Sequence, residues 1–403
     1  MSLKTQELLD SQSQELENSL PIDALAALQL SVQEALANGI QPQELLSLDQ
    51  LVIACGTGNT ELSIKIAQAY ENKYGVIELQ KTMDPLNHHL FSDGERKPSY
   101  TVPLRKKTTV IVQSFTPERL LDNGQLDLET GINNQLVELQ LMIVAARRAN
   151  SKEIIVMMPY CAYLRQDRKR SGEPTSAADL LSVYHYLGAK SLVILDPHNL
   201  QVLSSFPGPI DEAPANYIFL PILREMIDPD KIIGLAPDAG GVTRMTELMQ
   251  LLTSERSGLI ANNVCVMPKM RDSVTGDTDS LVPEGIESGS TVIIADDILS
   301  TGGTIITAAE YAKKAGAKRV IVVVTHGLFL GDCLDRLRNC SIIECIITTN
   351  SIDHRQEVRE EAAKPDGKII IIDIAEYLAD VIHCVLEGDP MKQFFEKENG
   401  IKK

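Results

Sequence analysis

The sequence predicts an α/β chain of two similar parallel-sheet domains behind a helical N-terminal extension. Short apolar, β-branched runs such as Leu51–Ala54, Val110–Val112 and Val292–Ile294 read as buried strands, with amphipathic helices between them. Three segments, Leu141–Met158, Leu180–Asp196 and Ile306–Val324, share one pattern: a helix, a small-residue turn, a lysine and a β-branched run. That is the repeating unit of a parallel α/β sheet. The chain has 403 residues, enough for two domains with large cores.

Composition narrows the function classes. The net charge is −17, which argues against sequence-independent binding to nucleic-acid backbones. Local Lys and Arg clusters can still hold small anions. The 7 cysteines form no Cys-x-x-Cys pair, so a reducing cytoplasm is expected. The first residues carry acids where a signal peptide needs cations, and no apolar run is long enough to span a membrane.

Residues 1–48 are polar with helical periodicity, and Leu25–Ala37 reads as one amphipathic helix closed by Gly39. A packing or oligomer-contact role is expected there. After the strand at Leu51, the Gly56-Thr57-Gly58 turn leads into a helix and reads equally as a phosphate loop or a structural turn. Phe91–Glu95 is a polar turn carrying one exposed aromatic. A break falls between Leu220 and Asp230, marked by Pro221, Asp228 and Pro229. The expected domains are 49–225 and 226–403. Asp373–Leu386 forms another amphipathic helix, which can pack back on the first domain, and the residues beyond Glu387 are expected to be loosely ordered.

The richest stretch is Thr291–Thr304. A buried strand ends in two carboxylates, Asp296 and Asp297, and a turn of small residues, Ser300-Thr301-Gly302-Gly303-Thr304, precedes a helix from about Ile305 to Lys314. Glycines let amides converge, hydroxyls add donors, and a helix N-terminus adds positive potential, which together suit a phosphate. The adjacent carboxylates suit sugar hydroxyls or Mg²⁺. A sugar phosphate satisfies both halves.

Other candidates sit at strand ends, where α/β proteins place their sites. Arg165, Arg168, Lys169 and Arg170 cluster after the strand ending at Met158, and guanidinium groups bind phosphate in fork geometry. The strand Val193–Leu195 runs into Asp196 and His198, a pair suited to a metal or a nucleotide phosphate. Asp238 precedes Gly240-Gly241 after Ile232–Ala236. Lys269 and Arg271 stand two apart on an extended segment, facing one way, before a polar stretch that resembles a closing loop.

The Asp-Asp…Thr-Gly-Gly-Thr loop resembles that of type I phosphoribosyltransferases and of PRPP synthetases. The ordered set, from about Leu51 to Phe395, resembles the PRPP synthetase (ribose-phosphate diphosphokinase) family. It comprises Phe91, Asp93 and Glu95; the run through Arg165, Gln166 and Asp167; Asp196, His198 and Gln201; Asp238, Gly240 and Gly241; Lys269 and Arg271; and the loop itself. The resemblance implies the type I phosphoribosyltransferase fold in both domains. It also implies transfer of the diphosphate of ATP to O1 of ribose 5-phosphate, with Mg²⁺ as cofactor.

Residue by residue, it implies that Asp296 and Asp297 hold the ribose hydroxyls and that Ser300 through Thr304 cradle the 5-phosphate. Lys269, Arg271 and His198 become the catalytic groups. His198, Asp196 and Asp238 become the metal ligands. ATP falls to Arg165, Gln166, Asp167 and His198, with Phe91, Asp93 and Glu95 reaching in from a neighbouring subunit of a homo-oligomer.

The sequence departs from the family at Ser300, where an Asp is common. It also departs at Ser204–Pro207, which lacks an acid and leaves Asp211, and at Arg170-Ser171-Gly172. A PRPP-consuming phosphoribosyltransferase would explain the loop but not the other motifs, and needs a much shorter chain. A non-catalytic regulatory subunit would be favoured by loss of Lys269 or Arg271, and both are present.

Overall fold

The structure is a computed structural model that describes residues 51–75, 78–79, 89–119, 130–168, 171–227, 232–253, 264–267 and 285–401. The expected helix at Leu25–Ala37 therefore lies outside the described residues, as do Lys169, Arg170, Lys269 and Arg271.

In chain order, the first half comprises β1 (Leu51–Cys55), α1 (Thr60–Tyr74), β2 (Glu78–Leu79), β3 (His89–Leu90), β4 (Arg96–Lys97), β5 (Thr108–Val112), α2 (Ile132–Arg148), β6 (Glu153–Met158), α3 (Ser176–Leu187), β7 (Ser191–Leu195), α4 (Leu200–Leu203), β8 (Ile210–Ala213) and α5 (Asn216–Met226). The second half comprises β9 (Ile232–Ala236), α6 (Val242–Thr253), β10 (Val264–Val266), β11 (Thr291–Leu299), α7 (Gly303–Lys314), β12 (Arg319–Gly327), α8 (Cys333–Asn339), β13 (Cys345–Thr349), α9 (Gln356–Ala362), β14 (Ile369–Ile372), α10 (Ala375–Glu387) and α11 (Met391–Glu398).

Two six-stranded sheets form, ordered β2-β1-β5-β6-β7-β8 and β10-β9-β11-β12-β13-β14. Every pairing within them is parallel. Strands β3 and β4 pair separately as an antiparallel hairpin. The two sheets thus share one strand order, with its reversal between the first and third strands of each, where open α/β sheets place ligands.

Both faces of each sheet are buried, so the strands are apolar throughout. Alternation assigns the faces. Ile53, Val110, Ile155 and Val193 of the first sheet share one core with Ile293, Ile321 and Ile347 of the second, together with α1, α5, α6 and α10. Val52, Ile111, Val156 and Ile194 pack on the other side against α2 and α3. Val292, Val322 and Ile346 pack against α7 and α8.

Three expectations need correction. Pro221 does not break the chain: it lies inside α5, whose Phe219, Leu220 and Leu223 are buried. Burial of that apolar face outweighs the backbone hydrogen bond a proline forfeits. The strand before the phosphate loop does not stop at Ile294. It continues to Leu299 because β12 is equally long and pairs with it through Asp296↔Val324 to Leu299↔Gly327. The residues beyond Glu387 form a further helix, α11, whose Phe395 is 3% exposed and stacks on Tyr217 and Tyr377.

Candidate active site

The sugar-phosphate candidate lies at the C-terminal end of β11, beside the strand-order reversal of the second sheet. Gly302 takes φ +78°, and a Cβ there would also stand 3.1 Å from Cys333 Sγ. The left-handed turn therefore favours glycine. Helix α7 then begins at Gly303 with no side chain capping its first amides, so they are free of competition from their own loop. The loop is fixed from behind. Leu330 N donates to Ser300 O (2.9 Å), and Arg336 Nη1 donates to Thr301 O (3.0 Å). Thr301 and Thr304 are exposed, Ser300 and Gly303 half-buried. The result is a hydrogen-bonded loop presenting hydroxyls and a helix N-terminus.

Asp296 and Asp297 sit near the C-terminal end of β11, within the strand rather than beyond it. The Asp297 amide donates to Asp296 Oδ1 (3.0 Å). Their environments separate them. Burial, and then the Asp297 charge, pushes the Asp296 carboxyl up. Burial also works against ionisation of Asp297, but the His198 hydrogen bond and the Arg244 and His198 charges outweigh it and hold that carboxyl down. Two carboxylates this close do not ionise alike. Asp297 is the resident anion.

His198 belongs to the loop after β7 in the first sheet, yet its Nδ1 lies 2.8 Å from Asp297 Oδ2. The hydrogen bond to Asp297 raises the imidazole's pKa against partial burial. Asp196 is locked. Its Oδ1 accepts from Arg244 Nε (3.1 Å) and Nη2 (3.0 Å), and its Oδ2 accepts from Thr325 Oγ1 (2.5 Å). Its backbone holds φ +40°, a strained setting for a non-glycine residue. In this arrangement both Asp196 oxygens are engaged by protein donors, so the residue anchors the end of β7. Asp238 is exposed, and its Oδ1 accepts from the amides of Gly240 (2.8 Å) and Gly241 (3.1 Å). Its Oδ2 has no hydrogen bond among the described residues. Among those residues no three His, Cys, Asp or Glu side chains converge as a protein-only metal cage. An exposed single carboxylate suits Mg²⁺, which takes one or two carboxylates and completes its shell with water and substrate phosphates.

The other candidates surround this centre. Arg165 and Gln166 are exposed, and Asp167 Oδ2 accepts from Asn199 Nδ2 (2.5 Å), tying the basic run to the His198 loop. Tyr160, Tyr163, Arg165 and Gln166 line a cavity of about 450 Å³ whose far wall is Leu328 and Leu330 of the second half. Phe91, Asp93 and Glu95 form the tip of the β3–β4 hairpin, where Phe91 is 40% exposed and meets His89 edge-on. The tip does not join the centre within this chain by any contact among the described residues. Asp211 lies in β8, and burial raises its carboxyl pKa.

The Gly56-Thr57-Gly58 turn is structural. Thr57 N and Oγ1 both donate to the buried Glu138 carboxylate (3.2 and 2.5 Å), and Arg96 Nη1 lies 3.6 Å from the same group. A carboxylate already holds the position a phosphate would need. Gly58 packs so closely that a Cβ would fall 1.8 Å from Ser114 O.

Two residues that hold these elements together carry no role assigned from the sequence. Arg244 stands in the first turn of α6, where the macrodipole disfavours a cation, and that misfit signals a carboxylate partner. His326 is fully buried, with Nε2 on Leu195 O (3.2 Å) and Nδ1 on Ser351 Oγ (2.9 Å). It joins β12 to β7, and no spacing rule could have shown it.

Comparison with known proteins matches residues 51–188 to the N-terminal domain of ribose phosphate pyrophosphokinase, and residues 263–396 to the phosphoribosyl synthetase-associated domain. The chain is 30% identical over 322 residues to a ribose-phosphate pyrophosphokinase of Mycoplasmopsis pulmonis, covering 79% of this chain and 91% of that protein. It is 32% identical over 297 residues to the enzyme so named in Sulfolobus acidocaldarius, covering 73% and 90%. The crystal structure of phosphoribosylpyrophosphate synthetase from Mycobacterium smegmatis superposes with a TM-score of 0.67 at 25% identity, covering 84% of this chain and all of that one. With both sheets, the β11 loop and these likenesses in agreement, the chain belongs to the ribose-phosphate pyrophosphokinase family.

Proposed function

We propose that this chain transfers the β,γ-diphosphate of ATP to O1 of ribose 5-phosphate, giving PRPP and AMP. One observation carries the reading. The loop Ser300–Thr304 and the pair Asp296–Asp297, read as a sugar-phosphate site, connect through His198 and the neighbouring Asn199 to the basic run of the other sheet. A site for the acceptor thus adjoins a site for a polyphosphate donor.

In this reading the helix α7 amides and the loop hydroxyls take the 5-phosphate, and ionised Asp297 accepts from a ribose hydroxyl. O1 attacks the β-phosphorus in line and gives up its proton to water; its bond forms as the bond to the bridging oxygen of the α-phosphate breaks, and AMP leaves with that electron pair. Such chemistry needs positioning and charge neutralisation more than covalent help. Lys269 and Arg271 are assigned to the charge on the transferring group, and Arg165 to the ATP phosphates. Asp238 and His198 are the residues assigned to hold Mg²⁺, which when bound would supply charge neutralisation for the donor phosphates. The domain limits 49–225 and 226–403, a cytoplasmic location, and a homo-oligomer whose Phe91 hairpin completes a neighbour's ATP site belong to the same proposal. They are supported by the exposed hairpin tip, by the absence of a disulfide among the described cysteines, and by the absence among the described residues of any helix long and apolar enough to cross a membrane.

The test is incubation of the full chain with ATP, Mg²⁺ and ribose 5-phosphate. AMP and PRPP should form together, and only when the sugar phosphate is present. Formation of ADP instead would mean transfer of a single phosphoryl group and would end the diphosphokinase reading.

A further inference from the structure

We infer that Arg244 is a positioning residue, which sets Asp297 for the ribose hydroxyls by tying it to Asp196 on the other sheet. The inference rests on the proposed sugar-phosphate role of β11.

Arg244 projects from the first turn of α6, a helix with no acid in that turn. Its side chain is 18% exposed. Two of its nitrogens, Nε and Nη2, are spent on one oxygen of Asp196 (3.1 and 3.0 Å). A planar guanidinium held at two atoms cannot turn about its axis. Its third nitrogen, Nη1, is thereby fixed 3.8 Å from Asp297 Oδ1. That is a charge contact rather than a hydrogen bond, so it orients the carboxylate without using up the oxygen as an acceptor. The other oxygen, Oδ2, is held by His198 (2.8 Å). Asp297 therefore stands between a guanidinium and an imidazole carried by different elements, one on each oxygen. Asp196 is itself pinned by Thr325 Oγ1 and held at φ +40°. Asp196, Arg244 and Asp297 make a strut from the end of β7 to the end of β11. Its working end is the group that meets the sugar. Lysine keeps the charge but offers a single ammonium, which cannot hold Asp196 and face Asp297 in fixed geometry.

The test uses the full chain and measures binding of ribose 5-phosphate and of ATP separately by calorimetry, with thermal unfolding as the check on folding. R244K should weaken ribose 5-phosphate about tenfold while leaving ATP affinity within about twofold. D196N, which never touches the sugar in this arrangement, should shift ribose 5-phosphate affinity in the same direction by a smaller factor. The double variant should fall short of the product of the two, since both cut one strut. A folded R244K with unchanged sugar-phosphate affinity overturns the inference, as does an equal loss for both ligands, which is what general loosening would give. If R244K does not fold, D196N decides alone: a selective loss for the sugar phosphate supports the strut, and no loss or a selective loss for ATP overturns it. Wild-type chain that binds ribose 5-phosphate without forming AMP would end the proposed reaction but leave this comparison intact.

Discussion

His198 and Asp297 meet across the two sheets, imidazole Nδ1 to carboxylate Oδ2 at 2.8 Å, so the loop after β7 in one sheet ends on a β11 carboxylate of the other. The contact has a titration consequence. His198 takes a pKa above its ordinary value because the Asp297 hydrogen bond favours the imidazolium. A group whose folded pKa is raised stabilises fully below its unfolded value, near 6.5, and the contribution is lost as pH rises through the folded value. NMR titration should place His198 above the ordinary histidine value and return it towards that value in Asp297→Asn. A His198 signal that does not respond to Asp297→Asn would show the pair to be uncoupled in solution.

Lys269 and Arg271 carry the transfer step in the proposed mechanism. Lys269→Ala should lower kcat by roughly 10²–10³-fold, the scale for removing one transition-state donor, with little change in ATP affinity. Arg271→Ala should behave alike, and the double substitution should be less than additive. Near-normal turnover in Lys269→Ala would take this segment out of catalysis and reopen a regulatory role for the chain.

The Phe91 hairpin offers a complementation experiment. If it completes a neighbour's ATP site, Phe91→Ala and Lys269→Ala chains, each nearly inactive alone, should regain activity when co-assembled, because some sites draw a good hairpin and a good lysine from different chains. Mixed assemblies no more active than their parents would confine Phe91 to its own subunit's site or remove it from the reaction.

In one class of the family that this chain resembles, the region matching Arg170-Ser171-Gly172 serves regulation by inorganic phosphate and ADP, and the sequence departs from that pattern there. Activity is expected without added inorganic phosphate, and ADP should inhibit only weakly at any distant site. Steady-state rates across a phosphate series check this, and a strict phosphate requirement would contradict it.

Gly58→Ala tests the structural reading of the Gly56-Thr57-Gly58 turn. The new Cβ would stand 1.8 Å from the Ser114 carbonyl, a backbone collision that no rotamer relieves. A loss on the order of 1–3 kcal/mol or more is expected, as for overpacked interiors, read as a lower melting temperature. An unchanged melting temperature would mean that the turn is looser than its packing.

The parallel sheets and the β11 loop were legible because they rest on local chemistry: β-branched runs, glycines at a tight turn, and acids at strand ends. What escaped the sequence depends on partners far along the chain. Asp196 reads as a free carboxylate until Arg244 and Thr325 arrive from the other sheet to occupy it. Pro221 reads as a break because its local cost is visible, while burial of Phe219 and Leu223 is not. The Gly-Thr-Gly turn stayed ambiguous for the same reason, since Glu138, the group that fills it, comes from α2. Phe395 gave no periodic signal strong enough to announce α11, yet it stacks on Tyr217 and Tyr377 from two other helices.

The core shared by Ile53 and Val193 of one sheet with Ile293 and Ile321 of the other bears on how the chain comes apart. Neither half can detach without exposing apolar surface that only the other half covers, and α10 lies against α1 from the far end of the chain, with Lys73 and Tyr74 hydrogen-bonded to Asp380 (2.8 and 2.6 Å). Scanning calorimetry should therefore record one cooperative transition rather than two, and a fragment ending near Met226 should be recovered aggregated. The repeated topology describes two copies of a fold, but their shared core is expected to make the molecule a single melting unit.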